Sequence, residues 1–156
     1  MTARLRPYPV YKSSSLPWLG RIPEDWAIKP LKRCAAINQA TLTETTDPDI
    51  GAVGEGRMVA KPQRLSFAAA PSRARRVVRP GDTMISTVRT YLKAVCHVAS
   101  CDEPTVASTG FAVLTPSDMM VPRFLFYSVL SEHFIRRVSA NSVGASYPAI
   151  EPSRLG

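Results

Sequence analysis

The feature that most constrains this chain is a series of β-type segments between residues 80 and 114, followed by a helical period. Pro80-Gly81-Asp82 is a turn signal. It opens Thr83-Met84-Ile85-Ser86-Thr87-Val88, a segment of β-branched and apolar residues that predicts a strand. A break near Arg89–Tyr91 precedes a second strand, Lys93-Ala94-Val95-Cys96-His97-Val98. A third follows the loop at 100–105 and ends in Phe111-Ala112-Val113-Leu114. Pro122 suits the first position of a helix. Beyond it Phe124, Tyr127, Leu130, Phe134 and Val138 recur at steps of three and four, predicting one helix with an apolar stripe against the sheet. Asn141 to Gly144 predicts a left-handed cap. Strands with few helices in irregular order predict an α+β domain, with a mixed or antiparallel β core and a few packed helices.

The 156 residues suit one domain, and no internal repeat divides them. Residues 1–25 read as an extended lead-in, because Pro7, Pro9, Pro17 and Pro23 break any helix. The domain proper is expected over 26–156. Trp18, Leu19, Ile22 and Trp26 read as anchors of the lead-in, since exposed tryptophan is costly. A short helix is expected from Pro30 to about Asn38, with Leu31, Cys34 and Ala35 on one face. Residues 41–56 read as an acidic, turn-rich loop around one short strand. Weaker strand signals sit at Met58–Val59 and Leu65–Phe67, and residues 145–150 read as extended.

Charge narrows the choice of partner. Lys and Arg number 20 against 12 acids, a net charge of +8, which suits a polyanion. Much of the surplus is local: Arg57, Lys61, Arg64, Arg73, Arg75, Arg76, Arg79, Arg89 and Lys93 are accompanied by one acid, Asp82. A solvated basic surface is the plainer reading of the same run. Three cysteines, Cys34, Cys96 and Cys101, do not form a disulfide framework, and the N-terminus has no apolar signal region. Both point to a reducing cytoplasm. No apolar stretch is long enough to span a bilayer, and no basic amphipathic helix suggests a membrane surface.

Catalytic patterns are missing from the sequence. Gly51, Gly54 and Gly56 lack the spacing and the following Lys-Ser/Thr of a phosphate loop, and read as turn glycines. Cys96, His97 and Cys101 make a poor zinc set without a second pair, and Cys96 reads as a core residue. His133 has no nucleophile-elbow pattern to serve. We expect no catalytic residues, no metal and no cofactor.

Three segments resemble the target recognition domain of type I restriction–modification specificity subunits. The first is Trp18-Leu19-Gly20-Arg21-Ile22-Pro23-Glu24-Asp25-Trp26, followed by Lys29-Pro30-Leu31-Lys32. The second is Gly81-Asp82-Thr83-Met84-Ile85-Ser86-Thr87-Val88-Arg89, with the later Ser108-Thr109-Gly110-Phe111-Ala112-Val113-Leu114. The third is Gly144-Ala145-Ser146-Tyr147-Pro148-Ala149-Ile150. Their order and separation fit over roughly residues 10–156. The resemblance implies a non-catalytic domain that reads one half of a split site in double-stranded DNA. Its partners would be a methyltransferase (modification) subunit and a restriction or motor subunit. The family continues into a helical spacer where this chain ends at Arg154-Leu155-Gly156, so the chain is expected to be a single truncated half. The alternative is a truncated interaction or regulatory protein that no longer reads DNA, with self-association as one form of it.

For DNA reading, Thr87 to Lys93 is the expected contact segment, because it joins two strands and its tip projects. Arg89 is the candidate for a guanine edge and Tyr91 for packing on sugar or base, with Thr90 and Lys93 beside them. Arg73, Arg75, Arg76 and Arg79 are the candidate phosphate contacts. The plainer reading makes Arg89 and Tyr91 hairpin caps and the arginine cluster an ordinary basic loop. Trp18, Trp26, Phe111 and Tyr147 read as core or anchor residues.

Overall fold

The segments between residues 83 and 116 build a sheet whose two faces are both covered. A computed structural model of the protein describes residues 6–41, 45–47, 53–58, 63–65, 69–101 and 105–156. In chain order the strands and helices are β1 (Tyr11–Ser13), β2 (Arg21–Pro23), α1 (Leu31–Cys34), β3 (Ala35–Ile37), β4 (Thr45–Asp47), β5 (Val53–Gly54), β6 (Arg57–Met58) and β7 (Gln63–Leu65). They continue with β8 (Ala74–Val78), β9 (Thr83–Ser86), β10 (Val95–His97), β11 (Thr105–Ser108), β12 (Phe111–Pro116), α2 (Pro122–Leu130) and α3 (Glu132–Ala140). The chain divides into two units, Met1–Pro30 and Leu31–Gly156.

In the first unit β1 and β2 pair antiparallel, with Lys12 opposite Ile22. The lead-in therefore doubles back as a hairpin. Its turn is closed by the Ser14 N–H donating to the Gly20 carbonyl at 2.8 Å. Gly20 has a φ of +66°, a left-handed state that explains the glycine after Trp18-Leu19. Ile22 is buried, whereas Trp18 is about half exposed. The expectation that Trp18 is an enclosed anchor does not hold.

The second unit is organised by a four-stranded antiparallel sheet in the order β10-β9-β12-β3. Strand side chains alternate between faces, and here the alternation separates two cores. Ile85, Val95, Ala112 and Leu114 meet Leu125, Phe126 and Val129 of α2 and Ile135 and Val138 of α3. Met84, Cys96, Phe111 and Val113 join Val78 of β8, Ala107 of β11 and Val53 of β5. The near-continuous apolar runs follow from this double burial.

Several sequence expectations are corrected. The helix expected over 30–38 is a single turn, α1, that gives way to edge strand β3. Pairing of Ile37 with Leu114 outweighs the weak helical period, and Asn38 ends the strand with a φ of +55°. Its N–H donates to the Val113 carbonyl and its Oδ1 accepts from the Val113 N–H, each at 2.9 Å. The third strand is two strands, β11 and β12, which leave a turn at Thr109–Gly110 to pair with β8 and β9 respectively. The strand signals at Met58–Val59 and Leu65–Phe67 overlap β6 and β7, but Val59, Ser66 and Phe67 lie outside the described residues. So does Lys61.

The long helix is also two. Ser131 takes an extended ψ of 142°, and its side chain accepts from the Phe134 N–H as the cap of α3. The expected stripe holds for Leu130, Phe134 and Val138, which pack in or against the core. Its start is out of phase: Leu125, Phe126 and Val129 face the core, while Phe124 and Tyr127 face outward. At the far end Asn141 caps α3 with a φ of −97°; the positive φ falls later, at Gly144.

Leu125 is 1% exposed and Phe124 42% exposed. Leu125→Ala should therefore cost about 2–5 kcal/mol through the cavity it leaves, and Phe124→Ala under about 1 kcal/mol. Urea unfolding of the two variants reads the difference. Equal losses would refute this helical phase.

Candidate nucleic-acid interface

A sheet buried on both faces leaves its ends for function, and at one end two sequence motifs meet. Beyond β9 the Thr87 N–H and Oγ1 both donate to the Gly110 carbonyl, at 2.8 and 2.9 Å. The Ile150 N–H donates to the Thr87 carbonyl at 2.9 Å, and the Arg89 N–H to the Pro148 carbonyl at 2.8 Å. Val88 and Ala149 form a bridge between these bonds. The closing motif is thus clasped to the strand that ends in Arg89.

The clasped segment is a closed loop. Val143 and Ala149 exchange backbone hydrogen bonds of 2.8 and 2.9 Å. At Gly144 a side chain would be strained by the φ of +122° and crowded, its Cβ lying 3.0 Å from the Tyr147 carbonyl oxygen. The loop holds Tyr147 outward, 65% exposed, with the Arg89 guanidinium carbon 4.1 Å from the ring centroid. Tyr147 is not the core residue its sequence context suggested. Nothing local to residue 147 reveals its place beside Arg89; only the pairing of the two motifs does.

After Arg89 the chain makes a single 3-10 turn, Thr90–Leu92. Thr90 is corrected as a DNA contact: it is buried, with its Oγ1 2.9 Å from Ser139 Oγ and 3.2 Å from Ser142 Oγ. Lys93 is engaged as well, since its ammonium lies 3.0 Å from Glu132 and 3.4 Å from Glu55. The hydrogen bonds that the ammonium donates to those carboxylates raise the Lys93 pKa, and the same bond with Lys93 lowers that of Glu132. Tyr91 projects, 53% exposed.

The four clustered arginines do not form one loop. Arg75 and Arg76 lie within β8, flanked by Arg73 and Arg79. Ser108 faces Ala74 while Ala107 faces Arg76, so Arg75 occupies a bulge. The Arg73 carbonyl accepts from the Thr109 N–H at 2.7 Å. Arg73 is thereby rooted next to Gly110, to which Thr87 also bonds. Arg79 lies at the other end of β8, roughly 20 Å away at about 3.3 Å per residue. Arg76 has a buried Nε with no hydrogen-bond partner among the described residues. The side chain of Arg64 and all of Lys61 lie outside the described features.

Asp82, from the second motif, serves the fold. Its Oδ2 accepts from the Arg79 N–H at 2.8 Å, and its backbone carbonyl accepts from Val98 at 2.9 Å. Burial pushes its carboxyl above the ordinary 3.8, against the lowering effects of Thr115 and Arg79. Burial also pushes the Cys96 thiol up to about 12, leaving it a neutral core group. Among the described residues no group of three or more His, Cys, Asp or Glu is arranged to hold a metal ion. No helix among them is long and apolar enough to cross a membrane.

The architecture is that of an α+β target recognition domain. It matches a chain from a type I restriction–modification system described for its complex assembly and conformational transition, with a TM-score of 0.62 and 28% identity over 83% of this chain. It also matches the HsdS subunit from Thermoanaerobacter tengcongensis, with a TM-score of 0.58 and 30% identity over 82% of this chain. Fold and sequence together make this chain similar to one part of the specificity subunits of type I restriction–modification systems. It spans 37% and 32% of those two chains, about a third of their length. No family model and no curated protein matches the sequence.

Because the folded state holds the Asp82 proton more tightly than the unfolded chain, this group favours folding most fully below 3.8. That contribution is lost as the pH rises through the raised value. Asp82→Asn should flatten this part of the profile of unfolding free energy against pH, measured in urea from about pH 3 to pH 7. A variant with the same slope as the parent would show that Asp82 is not its source.

Proposed function

We propose that the protein is a sequence-reading DNA-binding domain of a type I restriction–modification specificity subunit, without catalysis of its own. It reads one half of a bipartite site in double-stranded DNA on behalf of partner modification and restriction subunits. The observation that carries this reading is the clasp between two family-like motifs, which sets Arg89, Tyr147 and Tyr91 at one end of the sheet. The fold shared with an HsdS subunit supports it.

In this reading Arg89 addresses a base edge. Among the described residues no carboxylate pairs with it, and stacking on Tyr147 orients a planar, charged fork. Arg73 and Arg75, at the near end of β8, serve phosphates and set register. Arg79 is too far along the strand to share that contact. Partner subunits are favoured by an outward apolar row, Val121, Phe124 and Tyr127, along α2.

The test is a duplex titration at two salt concentrations, first with mixed-sequence DNA and then with sites selected from a random pool. Arg89→Ala should cost about 1–3 kcal/mol on selected sites and flatten the sequence preference. Arg73→Ala should weaken binding to all duplexes alike and reduce the salt slope by about one. Equal loss from both would overturn the division of roles, and a parent protein that binds no duplex would overturn the function.

A further inference from the structure

Two consecutive apolar side chains, Tyr91 and Leu92, are 53% and 57% exposed at the tip of the 3-10 turn. Scattered exposed apolar residues are ordinary, but this pair is unusually well held. The turn is bounded by two non-glycine residues in the left-handed region, Arg89 at φ 49° and Lys93 at φ 53°. Side chains avoid that region, and such strain persists where surrounding contacts over-determine it.

Those contacts are present on every side. The Leu92 N–H donates to the Arg89 carbonyl at 2.9 Å, and the Lys93 N–H to Thr90 at 3.0 Å. The Thr90 hydroxyl is buried against Ser139 of α3 and Ser142 just beyond it. Lys93 is tied to Glu132 and Glu55, which also offsets the only carboxylates bonded to the turn among the described residues. Arg89 is tied to Pro148. The result is a rigid point with an aromatic and an aliphatic group side by side, next to an arginine with which no carboxylate pairs among the described residues, on a chain of net charge +8. A rigid apolar point on a cationic surface fits insertion between stacked bases, where unstacking is exchanged for closer wrapping of the duplex.

We infer that Tyr91 and Leu92 form a wedge that enters a base step of bound duplex DNA, a role that rests on the DNA-reading function. A wedge should favour DNA whose stacking is already weakened. The intact protein is titrated with a fluorescent mixed-sequence duplex and with the same duplex carrying one central mismatch. The parent should prefer the mismatched duplex on the order of tenfold. The double variant Tyr91→Ser, Leu92→Ser should lose that preference yet bind intact duplex with an unchanged salt slope, and Tyr91→Phe should keep the preference. Both positions are exposed, and an unchanged unfolding midpoint confirms that the variants fold.

Binding of intact duplex without a mismatch preference, or a preference that survives in the double variant, overturns the wedge and leaves DNA reading standing. Binding of neither duplex overturns both. If the double variant keeps the preference but no longer co-purifies with a modification subunit, the tip is a protein contact and the wedge is overturned.

Discussion

The antiparallel pairing of β9 with β10 and β12 is the interaction from which the rest of the second unit follows. Once Ile85 and Met84 point to opposite sides, the helices must cover one face and the β8–β11 ribbon the other. Every side chain in the middle of these strands is then committed to a core. Chemistry has to come from where the strands stop, because only there does the backbone turn outward and meet solvent.

At one such end the backbone does more than turn. Thr87 is bonded to Gly110 on one side and to Ile150 on the other, so segments far apart in sequence share one short stretch of chain. The clasp settles several features at once. It requires the positive φ of Gly144, orients Tyr147 and restrains Arg89. The guanidinium gains an aromatic platform, which fixes its plane, and among the described residues no carboxylate offsets its charge. A surface organised in this way suits recognition of a polyanion more than acid–base chemistry.

The basic residues are sorted by the same architecture. Lys93 is spent on Glu132 and Glu55, and the β8 arginines are distributed along a strand. Only the near end of β8 adjoins the clasp, through Thr109 and Gly110. Net charge describes the partner a surface can attract; strand direction decides which charges can act together.

Much of the fold was legible in the residues themselves. The turn at Pro80-Gly81-Asp82, the strands that follow and the helical character after Pro122 rest on local chemistry, and local chemistry is what a sequence displays. The α+β class and the resemblance to specificity subunits were legible for the same reason. The failures are equally instructive. Ala35–Ile37 is a strand because β12 offers it partners, and Leu125 outranks Phe124 as a core residue because Ser131 breaks the helix. Thr90 is buried because α3 and the residues just after it present two serines to it, and Tyr147 is exposed because its loop closes on itself. The strand at Ala35–Ile37 and the burial of Thr90 depend on residues distant along the chain, whereas the helix break and the closed loop are short-range contacts that periodicity does not display. By itself, then, the sequence determined the turn and strands of residues 80–114, and that the chain would be cationic. Only the tertiary structure decided which side chains stand together at the end of the sheet, because hydrogen-bond register and burial are properties of pairs of segments.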